Sequence, residues 1–194
     1  ILAVDPTNQG AVDKLLSFKN RWTGKAISIA VANELMAENY VFLNRKDKIL
    51  YKNLLPGPFT IVNKGKARVA KGLEAENGTL GIRIPNNREI ERLIKMVGGP
   101  ITATSANLSG RKSNYSAEGF VKTLPKKKLE MIDLVIDAGK LAKNKPSTVI
   151  EASGSEIKIL RRGELNLGKG AKFVSIKEKE TEKLAEFVMG KIMA

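Results

Sequence analysis

The segment Pro56-Gly57-Pro58 restricts the fold more than any other, because neither a helix nor a central strand can run through it. Neither proline can donate a backbone hydrogen bond, and each pushes the preceding residue towards extended geometry. Upstream, apolar residues at Leu35, Val41, Phe42, Ile49, Leu50, Leu54 and Leu55, separated by the polar segment Asn44-Arg45-Lys46-Asp47-Lys48, predict two short helices with a loop between them. Downstream, Phe59 to Asn63 predicts a strand. Helix must therefore hand over to strand at a fixed point in the chain.

The same alternation recurs. Asn8 is a candidate N-cap for a helix from about Gln9 to Phe18, with Val12, Leu15 and Leu16 as its apolar stripe. Ala26 to Val31 is short, apolar and partly β-branched, like a buried strand. Beyond a basic, glycine-containing loop over Gly65 to Asn77, the alternating run Thr79 to Ile84 predicts a strand that ends at Pro85. Arg88 to Val97 predicts an amphipathic helix with Ile90, Leu93 and Ile94 inward, closed by Gly98-Gly99. A further helix is expected at about Ala117 to Thr123, then the basic run Lys126-Lys127-Lys128, then a strand Leu134-Val135-Ile136 turned by Asp137-Ala138-Gly139. Thr148 to Glu151 and Ile157 to Leu160 predict a hairpin around Ser153-Gly154. Strands interleaved with helices make this an α/β chain with a twisted, mixed sheet and flanking helices. Residues 1–165 read as one domain, and 166–194 as an extension whose final helix, from about Glu178 to Ile192, carries Leu184, Val188 and Ile192 on one face.

Charge and missing residue types narrow the chemistry. The 194 residues carry 34 Lys and Arg against 20 Asp and Glu, a formal charge of +14 that suits nucleotides, pyrophosphate or RNA without choosing among them. With no cysteine and no histidine there is no thiolate nucleophile, imidazole base, Cys/His zinc site or disulfide. Catalysis must then rest on cations, hydroxyls, carboxylates and a bound metal. No apolar run approaches the ~20 residues of a membrane span, so no membrane partner is expected and a cytoplasmic location is the default. Ile1-Leu2-Ala3-Val4-Asp5 reads like the end of a strand and loop already under way, so the true beginning is expected upstream.

The polar cluster that follows Pro100 reads as a binding site. Ile101 and Ala103 can bury on one face of a strand while Thr102 and Thr104 take the other, and Ser105-Ala106-Asn107 then turns the chain; the alternative is a strand end with a simple cap. Neither standard glycine-rich phosphate loop is present, so a nucleotide would have to be held by side chains. Lys19, Arg21 and Lys25 put three cations just past a helix, where they would suit phosphate or merely complement the helix dipole. Arg83 lies between Ile82 and Ile84, and an arginine there needs an anion: a substrate carboxylate, or an internal partner such as Glu89, Glu91 or Asp137. Ser147 and Thr148 after Pro146, and Arg161-Arg162 before Gly163, repeat the pattern of hydroxyls and cations at strand ends.

Taken in order, Lys19-Asn20-Arg21, Leu55-Pro56-Gly57-Pro58-Phe59-Thr60, Gly81-Ile82-Arg83-Ile84-Pro85, Ser105-Ala106-Asn107 and Pro146-Ser147-Thr148-Val149-Ile150 resemble the YrdC family of threonylcarbamoyl-AMP synthases over roughly Ile1 to Leu165. The resemblance implies a twisted α/β sheet around a large positive cavity. It implies an enzyme that joins threonine, bicarbonate and ATP into threonylcarbamoyl-AMP and pyrophosphate, with Mg2+, for a partner transferase complex that modifies tRNA beside the anticodon. By motif position, Arg21 and Lys25 look like ATP phosphate ligands, and Thr79, Ser105, Ser113 and Arg161 like further nucleotide contacts. Lys19, Arg21, Ser105 and Asn107 resemble the family's Lys-x-Arg and Ser-x-Asn catalytic signatures, while Arg83, the Ala103 backbone and Ser147 look like threonine ligands. No metal ligand is implied.

Two departures are visible. The family's opening loop, which contributes threonine contacts, reads Pro-Thr-Asp/Glu-Thr-x-Tyr-Gly-Leu, and this sequence starts at the last of those positions with Ile1-Leu2. Lys19-Asn20-Arg21-Trp22 and Lys25-Ala26-Ile27 keep the family's cations but not the prolines that stiffen its loop. Two other functions stay open: a catalytically incomplete RNA- or nucleotide-binding module, and a carbamoyltransferase-type domain like those embedded in hydrogenase-maturation proteins. In any of them, binding of tRNA or double-stranded RNA is expected to be weak and phosphate-driven.

Overall fold

The computed structural model describes residues 1–20, 26–108, 110, 111, 113–143, 145–154 and 156–163 of the 194. The expected helix at 178–192, like Arg21 and Lys25, lies outside them. Helix α1, Gln9–Lys19, starts where the Asn8 side chain accepts from the Ala11 N–H and stops at Asn20, whose φ of 50° leaves the helical region. Strand β1 is only Ile29–Ala30, shorter than its apolar run. Helices α2, Glu34–Glu38, and α3, Arg45–Leu54, follow. The polar segment at 44–48 is not the expected loop: Asn44 and Asp47 form a reciprocal capping box, so the charged residues make the first turn of α3.

Strand β2, Phe59–Lys64, emerges from Pro56-Gly57-Pro58, and β3, Thr79–Arg83, stops before Pro85. Helix α4, Arg88–Val97, has the predicted bounds, with Ile94 buried and Gly98 at φ 75° as its left-handed cap. Strand β4 is Ile101–Thr102, α5 is Ala117–Lys122 and the Lys126 run forms the short helix α6, Lys126–Leu129. The hairpin is confirmed as β5, Thr148–Glu151, and β6, Lys158–Arg161. Leu134-Val135-Ile136 is not a strand. It finds no neighbour to pair with among the described residues, and β propensity without a ladder or a packing surface does not make a strand, so Leu134 and Ile136 stay exposed.

The strands form one six-stranded mixed sheet in the order β4-β1-β3-β2-β5-β6, with β1–β3 and β2–β5 parallel and the other pairs antiparallel. Ile29, Ile82, Ile61 and Ile150 form one row across it and bury against Ala37, Val41, Tyr51 and Leu55 of the α2–α3 side. Inside this core the Tyr51 hydroxyl donates to Asn63 Oδ1 at 2.9 Å, and burial followed by the charges of Asp47 and Glu34 pushes its pKa up. Among the described residues no helix is long and apolar enough to cross a membrane.

Candidate functional site

The opposite face of the same sheet carries the polar residues. Ala30 stands beside Ile101 on one side and Arg83 on the other; Thr60 pairs with Val149, and Val149 with Arg161. Ile61 opposes Ile82, so one step along that antiparallel register Thr60 comes opposite Arg83. Period two puts Ser28, Gly81 and Ser147 on this face as well. Gly81 is the low point between the Thr60 and Ser28 side chains, a narrow trough that leaves no room for a side chain of its own: a Cβ there would come within 3.0 Å of the Thr60 side chain and 3.1 Å of the Ser28 side chain.

Arg83 lies at one end of the trough, half-buried. Its Nε is buried with no hydrogen-bond partner, and it forms no ion pair with Glu89, Glu91 or Asp137 among the described residues. Burial, then the charge of Arg161, lowers its pKa; burial does the same to Arg161. Arg161 is anchored, its Nε donating to the Ser147 carbonyl and its Nη2 to Ser147 Oγ, both at 3.0 Å. The Ser147 hydroxyl also meets Thr60 Oγ1 at 3.0 Å. Gly163 seals this corner, since a Cβ would strike the Pro146 carbonyl oxygen at 2.2 Å and the Thr148 nitrogen at 2.4 Å.

The other end of the trough belongs to β4 and α1. The Ala103 N–H donates to the Ser28 carbonyl at 2.8 Å, and Ser28 Oγ returns a bond to the Ala103 carbonyl at 3.1 Å, so Ala103 stands level with Ser28. Two residues further in that direction come Ser105, beyond the end of β4, and Thr79 on β3, Thr79 being ~13 Å along β3 from Arg83. The Thr79 hydroxyl donates to Asn77 Oδ1 at 2.7 Å. Lys19 is 3% exposed, and its ammonium donates to the Ser105 carbonyl at 2.9 Å, the Asn107 carbonyl at 2.8 Å and Asn107 Oδ1 at 2.9 Å. Ser105 Oγ also donates to Asn107 Oδ1, and Asn107 Nδ2 to the Arg111 carbonyl. Lys19 thus ties the Ser-x-Asn turn to the end of α1. Ser113 is exposed in the loop that follows. Thr102, on the strand face opposite Ile101 and Ala103, is fully buried, and its hydroxyl accepts the Val4 N–H at 3.0 Å.

The opening segment runs beside β4, with Leu2 bridged to Thr104. Thr60 and Gly81 stood in the quoted motifs without a role of their own, and Ser28 was not singled out, although a threonine alternating with Phe59 and Ile61 was the available signal. Two surface grooves, about 560 Å³ beside Glu34, Arg45, Lys48, Ile49 and Lys52 and about 430 Å³ beside Gln9 and Ala67 to Glu74, lie away from this face. No group of three carboxylates able to hold a metal occurs among the described residues.

Residues 1–163 match the Sua5/YciO/YrdC family, described as telomere recombination. A protein of Methanocaldococcus jannaschii named "Putative threonylcarbamoyl-AMP synthase" is 33% identical over 171 residues, 88% of this chain and 78% of its own length. The Bos taurus threonylcarbamoyl-AMP synthase is 29% identical over 158 residues, 78% of this chain but 55% of its own length. P. abyssi Sua5 complexed with L-threonine superposes with a TM-score of 0.78 at 26% identity, covering 98% of this chain and 51% of that one. The chain therefore spans about half the length of several of its relatives. With its whole described domain matched in sequence and its sheet matched in structure, the chain belongs to the Sua5/YciO/YrdC family.

Proposed function

We propose that this chain makes threonylcarbamoyl-AMP and pyrophosphate from threonine, bicarbonate and ATP, as a nucleotidyltransferase. The observation that carries this reading is Arg83: an arginine on a polar sheet face, with a buried Nε that no group accepts from among the described residues. A charge so placed calls for an anion, and the threonine carboxylate supplies one beside the Ser147 hydroxyl. The names of the relatives support the same activity, and the L-threonine complex of P. abyssi Sua5 supports threonine as the amino acid.

The threonine amine then points along the Gly81 trough towards Ala103 and Ser105. Bicarbonate supplies carbon dioxide as it loses hydroxide; the neutral amine adds to the carbon dioxide to give a carbamate, and the proton it releases leaves with the hydroxide as water. Its oxygen forms a bond to the α-phosphorus of ATP while the bond to pyrophosphate breaks, so charge moves from carbamate to leaving group. No strong base is required; alignment and neutralisation carry the step. Arg21, Lys25, Thr79, Ser105, Ser113 and Arg161 are assigned to ATP, with Lys19 and Asn107 holding the Ser105 turn in shape. The described residues do not build a magnesium site of their own; magnesium would travel on the triphosphate, which needs few protein ligands. Product passes to a threonylcarbamoyl transferase complex acting on tRNA in the cytoplasm.

The test uses the full encoded protein. Pyrophosphate release is expected only when ATP, threonine and bicarbonate are all present. Equal release with serine, or without bicarbonate, overturns the assignment.

A further inference from the structure

We propose that Thr60 is a positioning residue that aims the Ser147 hydroxyl at the substrate carboxylate, an inference that rests on reading Arg83 and Ser147 as the carboxylate site. A hydroxyl has one proton to give and two lone pairs to receive with. Ser147 Oγ already receives an N–H from Arg161 Nη2, and its other close contact is Thr60 Oγ1. Both hydroxyls are buried, Thr60 5% and Ser147 7% exposed, and neither has another side-chain hydrogen bond among the described residues. Of the two protons in this pair, one fills the bond between them and the other has no acceptor. The nearby side chains cannot provide one, since Arg161 and Arg83 only donate.

An anion bound at Arg83 resolves this. Thr60 stands opposite Arg83 on β2, between the strand that carries Arg83 and the strand that follows Ser147. When Thr60 donates to Ser147, both lone pairs of Ser147 are filled and its proton is left for an acceptor that neither Thr60 nor Arg161 supplies. A hydroxyl that accepts from a guanidinium is also the stronger donor of the two, so its proton belongs on the strongest acceptor present. Thr60 therefore acts through Ser147, without touching the substrate.

Thr60→Val keeps the shape and removes the hydroxyl; Thr60→Ser keeps the hydroxyl. In the pyrophosphate assay, Thr60→Val is expected to raise the threonine KM roughly tenfold, equivalent to ~1.4 kcal/mol, with the ATP KM and kcat little changed. Thr60→Ser is expected to stay near wild type. The wild type's preference for threonine over threoninamide should shrink in Thr60→Val, because the aimed proton serves a carboxylate. Thr60→Ala carries the same expectations should the valine variant fail to fold. An unchanged threonine KM in a folded Thr60→Val or Thr60→Ala protein, equal rises in the ATP and threonine KM, or a serine variant as impaired as the valine one, overturns the positioning role and leaves the proposed activity standing. A wild type whose pyrophosphate release ignores threonine removes the proposed activity, and this inference with it.

Discussion

Lys19 and Arg83 are cations on the two ends of one polar trough, and the protein treats them in opposite ways. Lys19 is buried with its ammonium on two carbonyls and a carboxamide oxygen, reaching 86 and 88 residues along the chain to bind them. Arg83 is half-buried, its Nε is sequestered without an acceptor among the described residues, and burial, then the charge of Arg161, lowers its pKa. A buried charge that is fully hydrogen-bonded fixes shape, whereas one left unpaired raises the energy of the empty site and lowers it when an anion arrives. Family resemblance groups both as functional; their hydrogen bonding differs, Lys19 being bonded within the fold and Arg83 Nε not bonded among the described residues.

The largest expected effect breaks the scaffold. Lys19→Met removes the donor from three acceptors, two of them backbone carbonyls, and is expected to cost about 3 kcal/mol or more of stability. Urea unfolding measures it, and a loss below about 1 kcal/mol would mean that Lys19 does not hold the Ser105–Asn107 turn. Arg83→Met should do the reverse. Removing an unpaired, desolvated charge leaves stability unchanged or raises it, while threonine binding weakens by about 1.5–3 kcal/mol with the loss of a charge-assisted partner. Calorimetric titration with threonine and with ATP checks it; a variant that loses ATP and keeps threonine reverses the orientation of the site.

Much of this contrast could not be read from the sequence. The bounds of α4, the hairpin of β5 and β6, and the break at Pro56 were legible because caps, alternation and proline act locally. Arg83 was legible as a cation needing an anion, and the structure removes its internal candidates. Lys19 was not legible as scaffold, because its acceptors are distant in sequence and only the fold brings them near. Thr60 was hidden for a similar reason: its partners lie on two neighbouring strands, and register is a property of the sheet. Leu134 to Ile136 misled because an apolar run states a propensity without naming a partner.

A smaller effect tests whether the two faces of the sheet are independent. Tyr51→Phe leaves Asn63 Oδ1 without its donor in the core and should destabilise by about 1–2 kcal/mol. Threonine and ATP affinities should be unaltered, since the apolar row of Ile29, Ile82, Ile61 and Ile150 separates Tyr51 from the trough. A binding defect in a protein that melts normally would show that the core face tunes the site.

The smallest effect extends the contrast to the run Lys126-Lys127-Lys128 and to RNA. Lys128 behaves like Lys19: its ammonium donates to the Ser17 carbonyl and to Asn20 Oδ1 at 2.8 Å, capping α1, and sits 5.8 Å from the centre of the Phe18 ring. Lys126 and Lys127 have no such bonds among the described residues. A cation already spent on carbonyls releases few counterions when a phosphate arrives, so weak, salt-sensitive tRNA binding should depend on Lys127 and not on Lys128. Filter binding across a salt series is expected to show the slope of log affinity against log salt fall by about one for Lys127→Ala and hold for Lys128→Ala, which should lose stability instead. Equal slopes for the two variants would mean that internal hydrogen bonding does not sort this protein's lysines into scaffold and ligand.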